Sequence, residues 1–251
     1  MRFIRYQKGV DAPNFGWLLE EEVGLIEGNP FGEFRRLEVS ENLSNVRLLA
    51  PVVPGKIICI GRNYVAHARE HQAEVPELPL IFLKPPSAII GPKEKIILPP
   101  QSQQVEHEAE LVVVIGKRGR WISPEEAPDY VLGYTVGNDV TARDLQNKDG
   151  QWTRSKGFDT FCPLGPWIET DFDPTDTIIT CFVNEEIRQM ASTHEMAFNV
   201  RQLIAFISSV MTLESGDIIM TGTPAGVSPL NPGDVVKVTI EGLGTLENSV
   251  E

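Results

Sequence analysis

From Lys56 onward the chain breaks into short apolar runs rich in β-branched residues, separated by glycine, proline and charged clusters. Runs of this length and composition predict strands. They fall at Ile57–Ile60, Ile81–Lys84, Ile96–Leu98, Leu111–Ile115, Val131–Val136, Ile178–Val183, Asp217–Met220 and Val235–Ile240. Only two segments carry helical spacing. Tyr64–Gln72 follows Asn63 as an N-cap, and Val200–Met211 follows Asn199 and places Leu203, Phe206, Ile207 and Val210 on one face. Many strands, few helices and no regular βαβ alternation predict an α+β, β-rich fold.

The first fifty or so residues differ in texture. Met1–Tyr6 and Gly16–Ile26 read as short strands, and Phe31–Arg36 as a helical turn. Pro51-Val52-Val53-Pro54 is a proline-bounded extended joint. It divides the chain into a small β-rich N-terminal domain, 1–53, and a larger domain, 54–251. No internal repeat or low-complexity segment interrupts either part.

One strand carries chemistry. Glu108 and Glu110 precede and enter the apolar run Leu111–Ile115. Side chains two apart on a strand share a face, about 6.6 Å apart along the chain. Two such carboxylates are tolerated at a solvated edge, or in the interior beside a cation. The second strand supplies Gly133, Thr135, Gly137 and Asp139 on one face, small residues ending in a carboxylate. Glycines within a strand mark close approach by a ligand or another backbone. Three carboxylates form an all-oxygen set suited to Mg²⁺ or Mn²⁺, with Ca²⁺ an alternative. His107 points away from that face by alternation.

At 251 residues, with 41% hydrophobic and 23% charged residues, the composition is that of a globular protein with a substantial core. A net charge of −13 argues against nucleic acid or an anionic membrane as partner. An anionic substrate must therefore be attracted by a metal and a few placed cations. Met1–Tyr6 opens no apolar run of signal-peptide length, and no run reaches the roughly 20 residues that cross a bilayer. The three cysteines, Cys59, Cys162 and Cys181, form no C-x-x-C motif. Buried thiols in a reducing cytoplasm are the expectation.

Five segments taken together resemble the fumarylacetoacetate hydrolase family. They are Gly61-Arg62-Asn63-Tyr64, Glu108-Ala109-Glu110-Leu111, Gly137-Asn138-Asp139-Val140-Thr141-Ala142-Arg143-Asp144, Ser155-Lys156-Gly157-Phe158-Asp159 with Pro163-Leu164-Gly165-Pro166, and Thr221 to Val227. They occur in the family's order from about Pro54 to the C-terminus. The resemblance implies a rolled, mixed β-sheet with a barrel-like core, and places metal ligands on Glu108, Glu110 and Asp139. It sets Arg143, Gln146 and Lys156 toward a 2-oxo acid, with Thr223 on the substrate carboxylate. Arg62 either aids substrate binding or anchors its loop. A homodimer is implied by the same analogy.

His67 and Glu70 stand three apart on the predicted helix, hence on one face. A histidine oriented by a carboxylate is a general base. The function so implied is a Mg²⁺- or Mn²⁺-dependent reaction of a small 2-oxo or 2,4-dioxo acid through a metal-stabilised enolate, with C–C hydrolysis or decarboxylation favoured. Keto–enol isomerisation of hydroxymuconate-type dioates is the alternative. Two remoter readings are a non-catalytic metal-binding barrel and a zinc peptidase, because His67-Ala68-Arg69-Glu70-His71 fits H-x-x-E-H. The peptidase reading leaves the three carboxylates unexplained. The Thr221–Val227 segment lacks the G-K-[ST] ending of a phosphate loop.

Overall fold

The computed structural model describes all 251 residues. The α+β, β-rich expectation holds, with nineteen strands and four α-helices. The largest sheet has twelve strands. Its main path starts at Phe34–Asn42 and runs through Glu22–Gly28, Asn14–Leu19, Arg2–Gln7, Cys162–Glu169, Val131–Asn138, Ala109–Ile115, Ile218–Met220 and Ile57–Gly61 to Leu80–Lys84. The sheet is mixed: Ile218–Met220 pairs parallel to Ile57–Gly61, and most other pairs are antiparallel. A five-stranded sheet, Glu186–Ser192, Ile178–Val183, Val235–Ile240, Gly244–Val250 and Lys95–Ile96, packs against it.

No sheet closes into a barrel, which corrects the barrel-like core implied by the resemblance. The end strands Phe34–Asn42 and Leu80–Lys84 lie at opposite edges and do not pair. Each end has a physical reason to stop. Leu80–Lys84 runs into Pro85-Pro86, which supply no backbone N–H donors. Phe34–Asn42 is a mostly exposed strand carrying Arg35, Arg36, Glu38 and Glu41, the charged texture that protects an edge.

The strand Ala109–Ile115 is buried on both faces. Leu111, Val113 and Ile115 enter the 32-residue core between the sheets, whereas Val112 and Val114 enter a separate 14-residue core. Burying each such side chain contributes about 1.5–3 kcal/mol, so the strand is held firmly in register. Glu110 shares the face of Val112 and Val114. Glycines on the neighbouring strand serve this packing. A Cβ on Gly137 would meet Val112 Cγ2 at 2.6 Å and Met220 Cε at 3.0 Å. The close approach that Gly137 permits is thus by protein side chains rather than by a ligand.

The N-terminal strands share the large sheet with the rest of the chain. Arg2 and Phe3 pair with Glu169 and Ile168, and the Met1 ammonium sits 2.8 Å from the Glu169 carboxylate. Gly16–Ile26, expected as one strand, is a hairpin of Asn14–Leu19 and Glu22–Gly28. Phe31–Arg36, expected as a helical turn, leads into the edge strand instead. Helix Val200–Val210 is as expected, and Asn199 caps it in a reciprocal capping box with Gln202. No helix is long and apolar enough to cross a membrane.

Candidate active site

Strand pairing brings the three carboxylates together. Ala109 and Glu110 pair with Asn138 and Gly137, and the Asp139 N–H donates to the Glu108 carbonyl at 2.8 Å. The Asn138 side chain accepts from the Glu108 N–H at 2.9 Å, which fixes the start of one strand against the end of the other. Carboxylate oxygens of Glu108, Glu110 and Asp139 lie within 4.8 Å of one another, and all three residues are buried.

Three buried cations surround them. Lys156 Nζ bridges Glu108 Oε2 at 2.8 Å and Asp139 Oδ2 at 2.7 Å. Lys84 Nζ donates to Asp139 Oδ1 at 2.6 Å and to the Val140 carbonyl at 3.1 Å. Arg143 lies between Glu106 Oε2 at 2.7 Å and Glu108 Oε1 at 2.5 Å. Burial would raise the Glu108 pKa, but Lys156 and Arg143 override it and hold the carboxyl well below the usual range. Lys156 and Arg143 are themselves pushed up by the same carboxylates, against the opposing effect of burial, and stay charged.

Glu110 is the exception. It accepts one hydrogen bond, from the Gly222 N–H at 2.8 Å, and has no cationic partner. Burial, reinforced by Asp139 and Glu108, drives its pKa well above the carboxylate range. Four buried carboxylates, Glu106 included, face three buried cations, so the ionised cluster carries one excess negative charge. A buried charge left in that state is costly. A hard divalent ion would fit this oxygen donor set and more than offset the excess charge, leaving the floor net positive toward an anionic substrate. Gly222 (φ +94°) is required beside Glu110, because a Cβ there would meet Asn63 Cβ at 2.8 Å.

Above this floor opens a cavity of about 530 Å³. Of the residues singled out in the sequence, Arg62, His67, Glu70, Glu108, Arg143, Gln146, Lys156 and Thr223 line it; Glu110 and Asp139 lie beneath and do not. His67 stands on helix Val65–Glu70, with Nδ1 3.2 Å from Glu70 Oε2. The Gly226 N–H donates to Glu70 Oε1 at 3.1 Å. Burial, only partly opposed by Glu108 and Glu70, lowers the His67 pKa and favours a neutral imidazole at neutral pH.

Several side chains hold positions the sequence did not suggest. Asn63 does not cap the helix: Tyr64 takes that position without a side-chain bond. The Asn63 amide instead donates to the Phe198 and Thr221 carbonyls and accepts from the Phe198 N–H, tying three loops together. Arg143 and Gln146 share helix Arg143–Asp149, and Arg143 Nη1 donates to Gln146 Oε1 at 2.6 Å. Thr223 donates its hydroxyl to the Ala109 carbonyl and accepts from Gln189 Nε2, so toward the cavity it offers only a lone pair. Arg62 adopts a left-handed backbone (φ 58°) and has no carboxylate partner. His107 turns away from the carboxylates, between Gln189 and Ser228, as alternation predicts.

Lys84 and Glu106 were not anticipated. Both left a trace: Lys84 closes an otherwise apolar strand, and Glu106 extends the alternation Glu106, Glu108, Glu110 by one step. Phe82 and Trp152 also line the cavity, packed edge to face with ring centroids 5.1 Å apart.

Comparison with known proteins gives this arrangement its family. The model described as Fumarylacetoacetate (FAA) hydrolase C-terminal matches residues 56–251, and one described as Rv2993c-like, N-terminal matches residues 1–51. The chain belongs to the fumarylacetoacetate hydrolase family and is an enzyme of that fold. It is 53% identical to uncharacterized protein MJ1656 of Methanocaldococcus jannaschii, over 93% of this chain and 96% of that one. The crystal structure of 2-hydroxyhepta-2,4-diene-1,7-dioate isomerase from Mycobacterium marinum aligns with a TM-score of 0.93 at 46% identity, covering 100% of this chain and 98% of that chain. The mitochondrial oxaloacetate tautomerase FAHD2A of Bos taurus is 48% identical, over 82% of this chain and 70% of the bovine protein.

Proposed function

We propose that this enzyme moves a proton between carbon and oxygen in a small 2-oxo acid, interconverting its keto and enol forms with a divalent cation held by Glu108, Glu110 and Asp139. The observation that carries the reading is that a neutral base, His67, shares one cavity with Glu108 of the buried carboxylate cluster and with the Lys156 ammonium. When bound, a Mg²⁺ or Mn²⁺ ion supplies Lewis acidity toward the substrate's 2-oxo oxygen.

The chain's own residues do the rest. An ionised Glu70 can only accept, so the His67 proton sits on Nδ1 and leaves Nε2 basic. His67 Nε2 takes the proton from the carbon beside the 2-oxo group and returns it to oxygen. Lys156, already charged and already oriented, offsets negative charge as it develops. Arg143 holds Glu108 in place from the far side. Arg62 is the cavity-lining cation free to meet a substrate carboxylate. The names of the bovine tautomerase and the mycobacterial isomerase support keto–enol chemistry and make oxaloacetate the first substrate to test.

A second reading keeps the same base: His67, neutral and backed by Glu70, is equally placed to activate water for C–C hydrolysis or to assist decarboxylation. Enol-oxaloacetate mixed with the enzyme and Mg²⁺ separates the two. The proposal expects faster loss of the enol absorbance, no pyruvate, and no acceleration in His67→Ala. Pyruvate released in step with enol loss would favour decarboxylation.

A further inference from the structure

The mouth of the cavity carries a second group of metal-ligating side chains: the proposed reaction uses His67 and Glu70 but leaves His71 without a role. His67, Glu70 and His71 fall at i, i+3 and i+4 and so meet on one face of the helix end. One ligand atom from each lies within 4.8 Å of the other two. The His67 and His71 rings meet edge to face with centroids 4.7 Å apart. His67 Nδ1 and Glu70 Oε2, 3.2 Å apart, already stand near the ligand–ligand spacing of about 3.4 Å in tetrahedral zinc sites.

The donors differ in kind from those of the floor. Two imidazole nitrogens and one carboxylate suit Zn²⁺ or Co²⁺ far better than Mg²⁺, whereas the floor offers oxygen alone. Both imidazoles have pKa values lowered chiefly by burial, which keeps their nitrogens free of extra protons. The Gly226 N–H fixes the Glu70 carboxylate from outside, the kind of support that orients a ligating carboxylate. The His71 imidazole makes no hydrogen bond of its own and is exposed toward the cavity mouth.

We propose that His67, Glu70 and His71 form a separate binding site for a zinc-class cation, and that its occupation switches the enzyme off. The ion takes the Nδ1 position that Glu70 now accepts from, and the single proton of the neutral imidazole moves to Nε2, the atom that must stay unprotonated to act as base, so the ring is locked in the inactive tautomer. The two sites thus sort cations by donor chemistry: oxygen for the activating ion, nitrogen for the inhibiting one. Binding follows from the geometry alone; the loss of activity rests on the role of His67 proposed above.

The test uses the full chain with Mg²⁺ in large excess. Equilibrium dialysis against Zn²⁺ should find one tightly held equivalent, unaffected by raising Mg²⁺. His71→Gln should keep the Mg²⁺-supported rate, yet bind Zn²⁺ at least about 10-fold more weakly and require correspondingly more Zn²⁺ for inhibition. Zn²⁺ binding unchanged in His71→Gln, or Zn²⁺ displaced by Mg²⁺, would place the ion on the carboxylates and overturn the site. Zn²⁺ held in a His71-dependent way with the rate untouched would keep the site, refute the switch, and remove His67 from the reaction.

Discussion

The carboxylates beneath the cavity and the dyad at its mouth stand on very different supports. Glu110 and Asp139 sit within and directly after strands paired to neighbours on both sides, and hydrogen bonds and ion pairs fix their surroundings. His67 and Glu70 stand on a six-residue helix with no side-chain cap, and Glu70 is half-exposed. Isolated helices of that length are unstable in water, so this one depends on its packing. The difference suggests a division of labour. On the proposed mechanism, a fixed floor positions charge and a lightly held rim carries the base.

If the division is right, damage to rim and floor should read out differently. The largest effect on rate should come from His67→Ala, a fall in kcat of about 10²–10⁴ with little change in melting temperature. A parallel collapse of stability would mean that the rim is structural after all. The largest effect on stability should come from Lys84→Met. It strips Asp139 of one of its two buried cations and should cost about 3–5 kcal/mol, read by denaturant unfolding. A loss below about 1 kcal/mol would show that water enters the floor freely.

A smaller effect tests how the rim is tuned. Glu70 raises the His67 pKa while burial lowers it. In wild type the acid limb of kcat/KM should therefore fall below the ordinary histidine value, because activity is lost as pH drops through the pKa of the base. Glu70→Gln removes a raising influence, so the limb should move further toward acid while kcat falls less than in His67→Ala. A limb moving toward alkali would contradict the hydrogen bond as the cause.

What could be read from the sequence follows the same line between floor and rim. The floor was legible because alternation is a short-range rule: the β-branched run after Glu110 and the small-residue face ending in Asp139 sit where the strands do. Its cations were less so. Arg143 and Lys156 came through resemblance, and Lys84 escaped because a lone lysine ending an apolar strand looks like an ordinary boundary. Asn63 was misjudged because a polar residue before a helix pattern usually caps it, whereas here contacts to Phe198 and Thr221, over 130 residues away, take its amide. Sheet closure was beyond reach for the same reason. Whether the two edge strands meet depends on long-range geometry that local pattern does not carry.

The central claim is that Glu108, Glu110 and Asp139 hold one divalent ion, with Glu110 the member whose charge the protein leaves unmatched. Titration of Mn²⁺ followed by electron paramagnetic resonance tests it directly in wild type and Glu110→Gln. The account predicts one Mg²⁺-competable Mn²⁺ per chain in wild type, weakened by at least about 100-fold in Glu110→Gln, with the variant's fold intact. Mn²⁺ bound by Glu110→Gln as tightly as by wild type would contradict it.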